Sequence, residues 1–435
     1  MTFSLKICCS FLLLGAFVSA SDTIPLSADI AKCMPAAESL YIDLHKNPEL
    51  STHETQTATK LADRLRSLGY DVTTAVGGTG VVAILKNGNG PVIMLRTELD
   101  ALPIEEQTGL PYASKVKWRS PTGTDIPVMH ACGHDLHMAA LSGTAAVMAA
   151  NRDRWHGTLM LIGQPAEEAI GGAEAMLKDG LFTRFPKPDY SIAVHDSVEL
   201  PAGQVGFTPG FAKTSADSID VIFYGRGSHG ARPDLSIDPI VMASRAVLDW
   251  QTIVSREIKP GETAVITVGD FHAGTKNNII PDEAHLQLTV RTYKPEVRKQ
   301  VLAAIERIAK ADAAAAGAAR EPSIKIYEAT PALYNDPDLT NRLAQALAAD
   351  LGSDNVKQLP PGFASEDFSQ YVVAGVKSVQ LTVGAANPVK FAEAQKSGEI
   401  LPGLHNSHFA PDLKPSLQTA IETEVISLLD LMGTK

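Results

Sequence analysis

Residues 128–138 read VMHACGHDLHM, and the eight-residue span 130–137 contains His130, Cys132, His134, Asp135 and His137. Four readings compete for such a cluster. A structural zinc site wants cysteine pairs spaced as in C-x-x-C, and Cys132-x-His134 is too short for that. A thiolate–imidazolium nucleophile would pair Cys132 with His130 or His134, but catalytic Cys–His pairs usually stand far apart in sequence. A catalytic metal centre would use only part of the cluster and draw its other ligands from distant segments. The fourth reading is a packed loop with no chemistry at all.

The choice depends on the elements that position these residues. GVVAIL (80–85), PVIMLR (91–96), TLMLIG (158–163), YSIAV (190–194) and VKSVQLTV (376–383) are short apolar runs that read as buried strands. Helical patterns stand at about 29–45, 53–69, 137–150 and 172–180. Buried strands alternating with helices predict an α/β domain with a mostly parallel central sheet. In such sheets ligands bind beyond the carboxyl ends of the strands. Glu98 and Asp100 follow the run 91–96, Glu167 and Glu168 follow 158–163, and His195 follows 190–194. Cys132 and His134 enter the helix at 137, and LHNSHF adds His405 and His408 near the C-terminus. Each piece alone has an ordinary explanation: a solvated acid pair, a core histidine, a loop cap. Their gathering at one predicted sheet edge is what favours a site.

The middle of the chain follows another pattern. SIDVIFYG (218–225) alternates polar and apolar residues, as a half-exposed strand does. A helix at about 237–256, strands at about 263–272 and 284–293, a helix at 295–317 and a strand near 323–329 follow. The order β-α-β-β-α-β is the ferredoxin-like unit. The expected organisation is a compact module inserted at 213–330, within a larger α/β domain formed by 21–212 and 331–435.

Residues 1–20 read as a secretory leader: MTFSLK is basic, ICCSFLLLGAFV is apolar, and Val18-Ser19-Ala20 offers a cleavage site after Ala20. The expectation is a periplasmic or secreted protein with no membrane anchor once the leader is removed. Losing Lys6 with the leader takes the net charge from −11 to −12, and an acidic chain without basic runs argues against nucleic acid as a partner. Cys8 and Cys9 leave with the leader, so Cys33 and Cys132 remain, too few for a disulfide framework.

Six ordered segments then carry a resemblance: LHKNPELSTHE (44–54), RTELDALP (96–103), MHACGHDLH (129–137), GQPAEE (163–168), GTKNNIIPD (274–282) and LHNSHF (404–409). Together they resemble the metal-dependent amidohydrolases of the M20 peptidase group, in the branch of aminoacylases, hippurate hydrolases and auxin-conjugate hydrolases. The resemblance implies two divalent metal ions per subunit, with Cys132, His134, Glu168, His195 and His405 as ligands. It implies Glu167 as general base and Asp100 as the carboxylate that orients a ligand. It implies that the larger domain binds the metals and that the inserted module is a lid or dimerisation domain, with His229, Asn278 and Arg291 as substrate-binding residues and a homodimer through the lid that lends such a histidine across the interface. Three segments depart from the branch: Thr97 and Glu98 replace an alanine and an aspartate, Ser407 replaces a proline and brings His408, and Asp234 stands where a histidine is common. A thiolate among imidazoles favours zinc, with manganese or a similar ion as the alternative. The expected activity is hydrolysis of amide bonds in N-acyl amino acids or short peptides. The reading from another class is a non-catalytic exported metal- or ligand-binding protein on the same fold, and Glu167 beside a ligand argues against it.

Overall fold

The computed structural model describes residues 26–434, so the expected leader lies outside the described residues. Strands Gly157–Gln164, Val92–Glu98, Tyr190–Pro201 and Lys377–Ala386 lie side by side and parallel at the centre of an eight-stranded sheet. Antiparallel Gly80–Asn87 and Asp71–Val76 close one edge, and the short Val205–Phe207 and Val356–Gln358 close the other. The central strands are apolar without alternation because both faces are covered. Val81, Ala83, Leu95, Leu161 and Val194 pack on one side, whereas Val82, Met94, Met160, Ile162 and Ala193 pack on the other.

Helices Leu26–Lys46, Thr55–Ser67, His134–Ala150, Pro337–Leu351 and Leu413–Met432 contribute to the larger of those two layers. Helix His134–Ala150 is buried on nearly every side because neighbours surround it. Its small residues permit that: a Cβ at Gly143 would meet Ile421 Cδ1 at 2.5 Å. Cys33 reaches Gly143 from the first helix and donates to Ile30 O; it is a free thiol, as is Cys132.

A second sheet, all antiparallel, orders its strands Ala264–Ala273, Glu283–Thr292, Ala216–Tyr224 and Ser323–Thr330. Helices Pro239–Thr252 and Pro295–Ala315 cover one face around Trp250, Phe223, Val301 and Ile305. The chain order is β-α-β-β-α-β, and the two sheets have separate cores. No helix among the described residues is long and apolar enough to cross a membrane.

Candidate metal centre

The carboxyl ends of the central strands converge on one cavity of about 440 Å³, lined by Cys132, Glu167, Glu168, His195, Lys213, Arg291 and His405 among others. Cys132 arrives there through a turn that only glycine tolerates. Gly133 has φ +76°, and a Cβ on it would fall 2.4 Å from Asp196 Oδ1. The Gly133 carbonyl accepts from His137 N at 3.1 Å, so the helix begins at His134, one turn before the expected residue 137. Cys132 Sγ lies 3.7 Å from His195 Nε2. The strand bearing His195 also runs past the expected 190–194, because its pairing with Lys377–Ala386 holds it extended to Pro201.

Each buried histidine at the cavity is tied back through one nitrogen. His134 Nδ1 donates to the Asp100 carbonyl at 2.8 Å, and His195 Nδ1 donates to the Asp196 carbonyl at 2.9 Å. That leaves both Nε2 atoms directed at the thiol and carboxylates, the arrangement by which outer groups orient metal-ligating imidazoles. The Asp100 side chain is wholly buried behind the cavity, accepting from Ser51 Oγ at 2.6 Å and Glu168 N at 3.0 Å. His405 has φ +64°, is anchored by its N–H to Ala131 O, and brings Nε2 to 3.2 Å from Glu168 Oε1. His408 meets Ser407 Oγ instead and does not line the cavity.

Among the described residues, two buried atoms here lack a hydrogen-bond partner, His134 Nε2 and Asp100 Oδ1, and Glu168 Oε1 meets only His405 Nε2. Unsatisfied buried polar atoms are costly, and each one calls for a physical reason. Donor atoms of Cys132, His134 and Glu168 lie within 4.8 Å of one another, so a divalent cation fits this donor set. A neighbouring group of Glu98, His134, His137 and His195 is equally compact. There, however, His137 already engages Glu98 through Nδ1 at 2.9 Å and Asp196 through Nε2 at 3.2 Å. Burial opposes protonation of His137, but Glu98 and Asp196 win and push its pKa up to about 9. His137 and Glu98 are thus spent on each other. The thiol reading fails on electrostatics: burial, then Glu168, holds the Cys132 pKa well above the ordinary thiol value, the reverse of an activated nucleophile.

Glu167 reaches the cavity from a strained loop. Ala166 and Ile170 have φ +49° and +51°, and buried Glu54 pins the loop by accepting from Ala166 N at 2.8 Å and from Thr79 Oγ1 at 2.6 Å. Burial, then Glu366, Glu168 and Asp367, raises the Glu167 pKa well above the usual carboxylate range. Glu366 and Asp367 come from the segment SEDF and meet Arg96, which also contacts Glu98 and Gln164 in the interior. Sequence reading passed over Glu54, Lys213, Glu366 and Asp367. The one local signal was an acid pair abutting Phe368 and Tyr371, both fully buried.

The remaining expected residues divide. Arg291 lines the cavity, whereas His229 and Asn278 do not. His229 pairs with Ile279 in a small ribbon, and both it and Asn278 are exposed. Asp135 is structural in its contacts: its carboxylate meets His45 Nδ1 at 2.7 Å, and His45 reaches Glu106 through Nε2 at 3.1 Å. His130 is buried with neither ring nitrogen bonded, and burial pushes its pKa down to about 4.

This geometry has counterparts. The chain matches the model of Peptidase family M20/M25/M40 over residues 94–407. It is 38% identical over 334 residues to N-acetyl-L-cysteine deacetylase of Bacillus subtilis, with 76% of each chain covered. It is also 38% identical over 338 residues to hippurate hydrolase of Campylobacter jejuni, covering 76% of this chain and 83% of that one. A dinuclear metal-binding M20 peptidase of Bacillus subtilis superposes with a TM-score of 0.74 at 28% identity, covering 92% of this chain and 98% of that structure. The matched region runs through the strand ends, the Cys132 turn and His405, so the cavity lies inside the likeness; the chain belongs to peptidase family M20/M25/M40 and is a metal-dependent hydrolase.

Proposed function

We propose that the protein hydrolyses the amide bond of N-acyl amino acids or short peptides at this cavity. The observation that carries the reading is Glu167 beside the compact donor set of Cys132, His134 and Glu168, with Arg291 on the opposite sheet lining the same cavity. Cys132, His134, Glu168, His195 and His405 would hold two divalent ions. Thiolate with imidazole favours zinc, and manganese is the alternative. The chemistry such ions supply when bound is Lewis acidity, toward a carbonyl oxygen and toward water.

The side chains do the rest. Glu167 accepts a proton from the attacking water and returns it to the departing amine, which needs a carboxylate held at the cavity wall. Asp100 keeps His134 in one orientation, with Nε2 forward. Arg291 is half-buried, so its guanidinium offers an anchor for the substrate carboxylate. We place His229 and Asn278 in the site of a second copy, across a dimer formed by the smaller sheet and its helices. Leu248, Val241, Leu235 and Ile279 support this, being 70%, 55%, 52% and 51% exposed in that region. Export to the periplasm or beyond belongs to the same proposal, on the strength of residues 1–20.

Purified protein loaded with zinc or manganese should hydrolyse a panel of N-acetyl and N-benzoyl amino acids, and a chelator should abolish the activity. Metal-replete protein that turns over none of the panel would sink the reading. Elemental analysis should also show that His405→Ala lowers the metal content while His408→Ala leaves it intact. Loss in His408→Ala alone would reverse the ligand assignment.

A further inference from the structure

Two cations line the catalytic cavity from different parts of the fold. Lys213 ends the strand Gly210–Lys213, just before the chain enters the smaller sheet, and Arg291 lies on that sheet in strand Glu283–Thr292. Among the described residues both lack a committed protein partner. Lys213 Nζ comes no closer than 3.7 Å to Glu366 Oε2, and the Glu366 oxygens already accept from Arg96 at 2.8 Å and Gln380 at 2.7 Å. Asp217, the acid that acts on Arg291, is taken at both oxygens by Arg298, at 2.6 and 2.8 Å. A half-buried cation with open donors is costly until an anion meets it.

Lys213 stands at a junction. It also lines a second pocket of about 260 Å³, which shares His195, Ala364 and Leu404 with the first. That side pocket has apolar walls in Leu359, Phe363 and Leu404, and Lys213 is the one Lys or Arg among the described residues that line it. Of its two acids, Asp196 is engaged by His137, and Glu199 is exposed to solvent. Methylenes therefore suit the walls and an anion suits the ammonium. One carboxylate at Arg291 leaves Lys213 for another.

Building on the amidohydrolase reading, we propose that Lys213 is a specificity-determining residue and that the preferred substrates are N-acyl amino acids carrying a second carboxylate. The second acid stands either on the acyl group or on the amino-acid side chain, and two matched pairs separate these sources. N-succinyl-leucine against N-butyryl-leucine tests the acyl arm, and N-acetylglutamate against N-acetylglutamine tests the side chain.

For the metal-loaded enzyme, kcat/KM should favour the acid in one pair by about tenfold or more, the scale of a charge-assisted hydrogen bond. Lys213→Met should bring that ratio close to one, Lys213→Arg should retain it, and Lys213→Glu should invert it. Two outcomes overturn the proposal: no preference in the native enzyme, or variants whose rates on both members fall together with the ratio unchanged. The latter would make Lys213 a counter-ion of Glu366. If no amide is cleaved, the amidohydrolase reading fails on its own, and calorimetry still decides Lys213. Glutarate should then bind the metal-loaded protein more tightly than butyrate, with the difference lost in Lys213→Met; equal affinities would refute the assignment.

Discussion

Glu167→Gln is expected to lower kcat on an N-acyl amino acid by about 10²–10⁴-fold, the usual contribution of a positioned general base. The amide is close in shape to the carboxylate, so the cavity should keep its form, but it cannot take up the water's proton. Folding should not suffer. Among the described residues the one basic group within 4 Å of this carboxylate is His134, at 3.9 Å, while Glu366, Glu168 and Asp367 all act against its charge. Removing that charge relieves repulsion among buried acids, so the melting temperature should hold or rise. Metal content, measured on the same preparation, should also hold, because the five proposed ligands are untouched. A metal-replete, folded variant with full turnover would remove Glu167 from the mechanism. A variant that has lost its metal would instead place Glu167 among the ligands.

Much of this site can be read from sequence because open α/β sheets present ligands at one edge. Apolar runs ending near Arg96 and Gly163 mark strand ends, the run to Val194 stops short of a strand that continues to Pro201, and the candidate residues follow each run within a few positions. The smaller sheet is legible for a related reason: its strands alternate and its helices each show one apolar face. Helix Leu413–Met432 escapes the same test. It buries residues on most of its circumference, including Ser416, Thr423, Glu424 and Ser427, so no apolar stripe stands out. Glu424 is tolerable there because it accepts from Thr144 Oγ1 at 2.6 Å, and burial pushes its pKa up to about 8. Helix Pro337–Leu351 did carry a local signal, Asp336 capping with Pro337 at its first position. What no local pattern contains is the pairing of Arg96 with acids 270 and 271 residues away. Charged residues read as surface by default, and only the assembled fold shows these to be interior.

That interior pairing gives the largest stability effect expected. Arg96→Met should destabilise the protein by about 3–5 kcal/mol, the cost of leaving buried partners uncompensated. The guanidinium is fully buried; it contacts Glu98, donates to Glu366 at 2.8 Å and Asp367 at 3.0 Å, and bonds Gln164 Oε1 through Nε at 2.9 Å. Methionine can fill much of the volume beside Phe368, but three carboxylates would lose their shared cation, leaving His137 at 2.9 Å from Glu98 and Lys213 at 3.7 Å from Glu366. Burial, then repulsion from Glu366, works against ionised Asp367, whose pKa stands at about 7 even though Arg96 lowers it. Without Arg96 the cluster should take up protons, so the variant should lose less stability at acidic pH than at neutral pH. The damage should also reach the catalytic loop. Asp367 accepts from Gln164 at 2.6 Å and from Ala173 N at 2.9 Å, bracketing the segment that carries Glu167 and Glu168. Denaturant titration against the native protein measures the first effect, and metal affinity measures the second. A loss below about 1 kcal/mol would mean that the carboxylates are already protonated or hydrated in the native protein. Arg96 would then be a filler of space rather than the charge around which this side of the cavity is built.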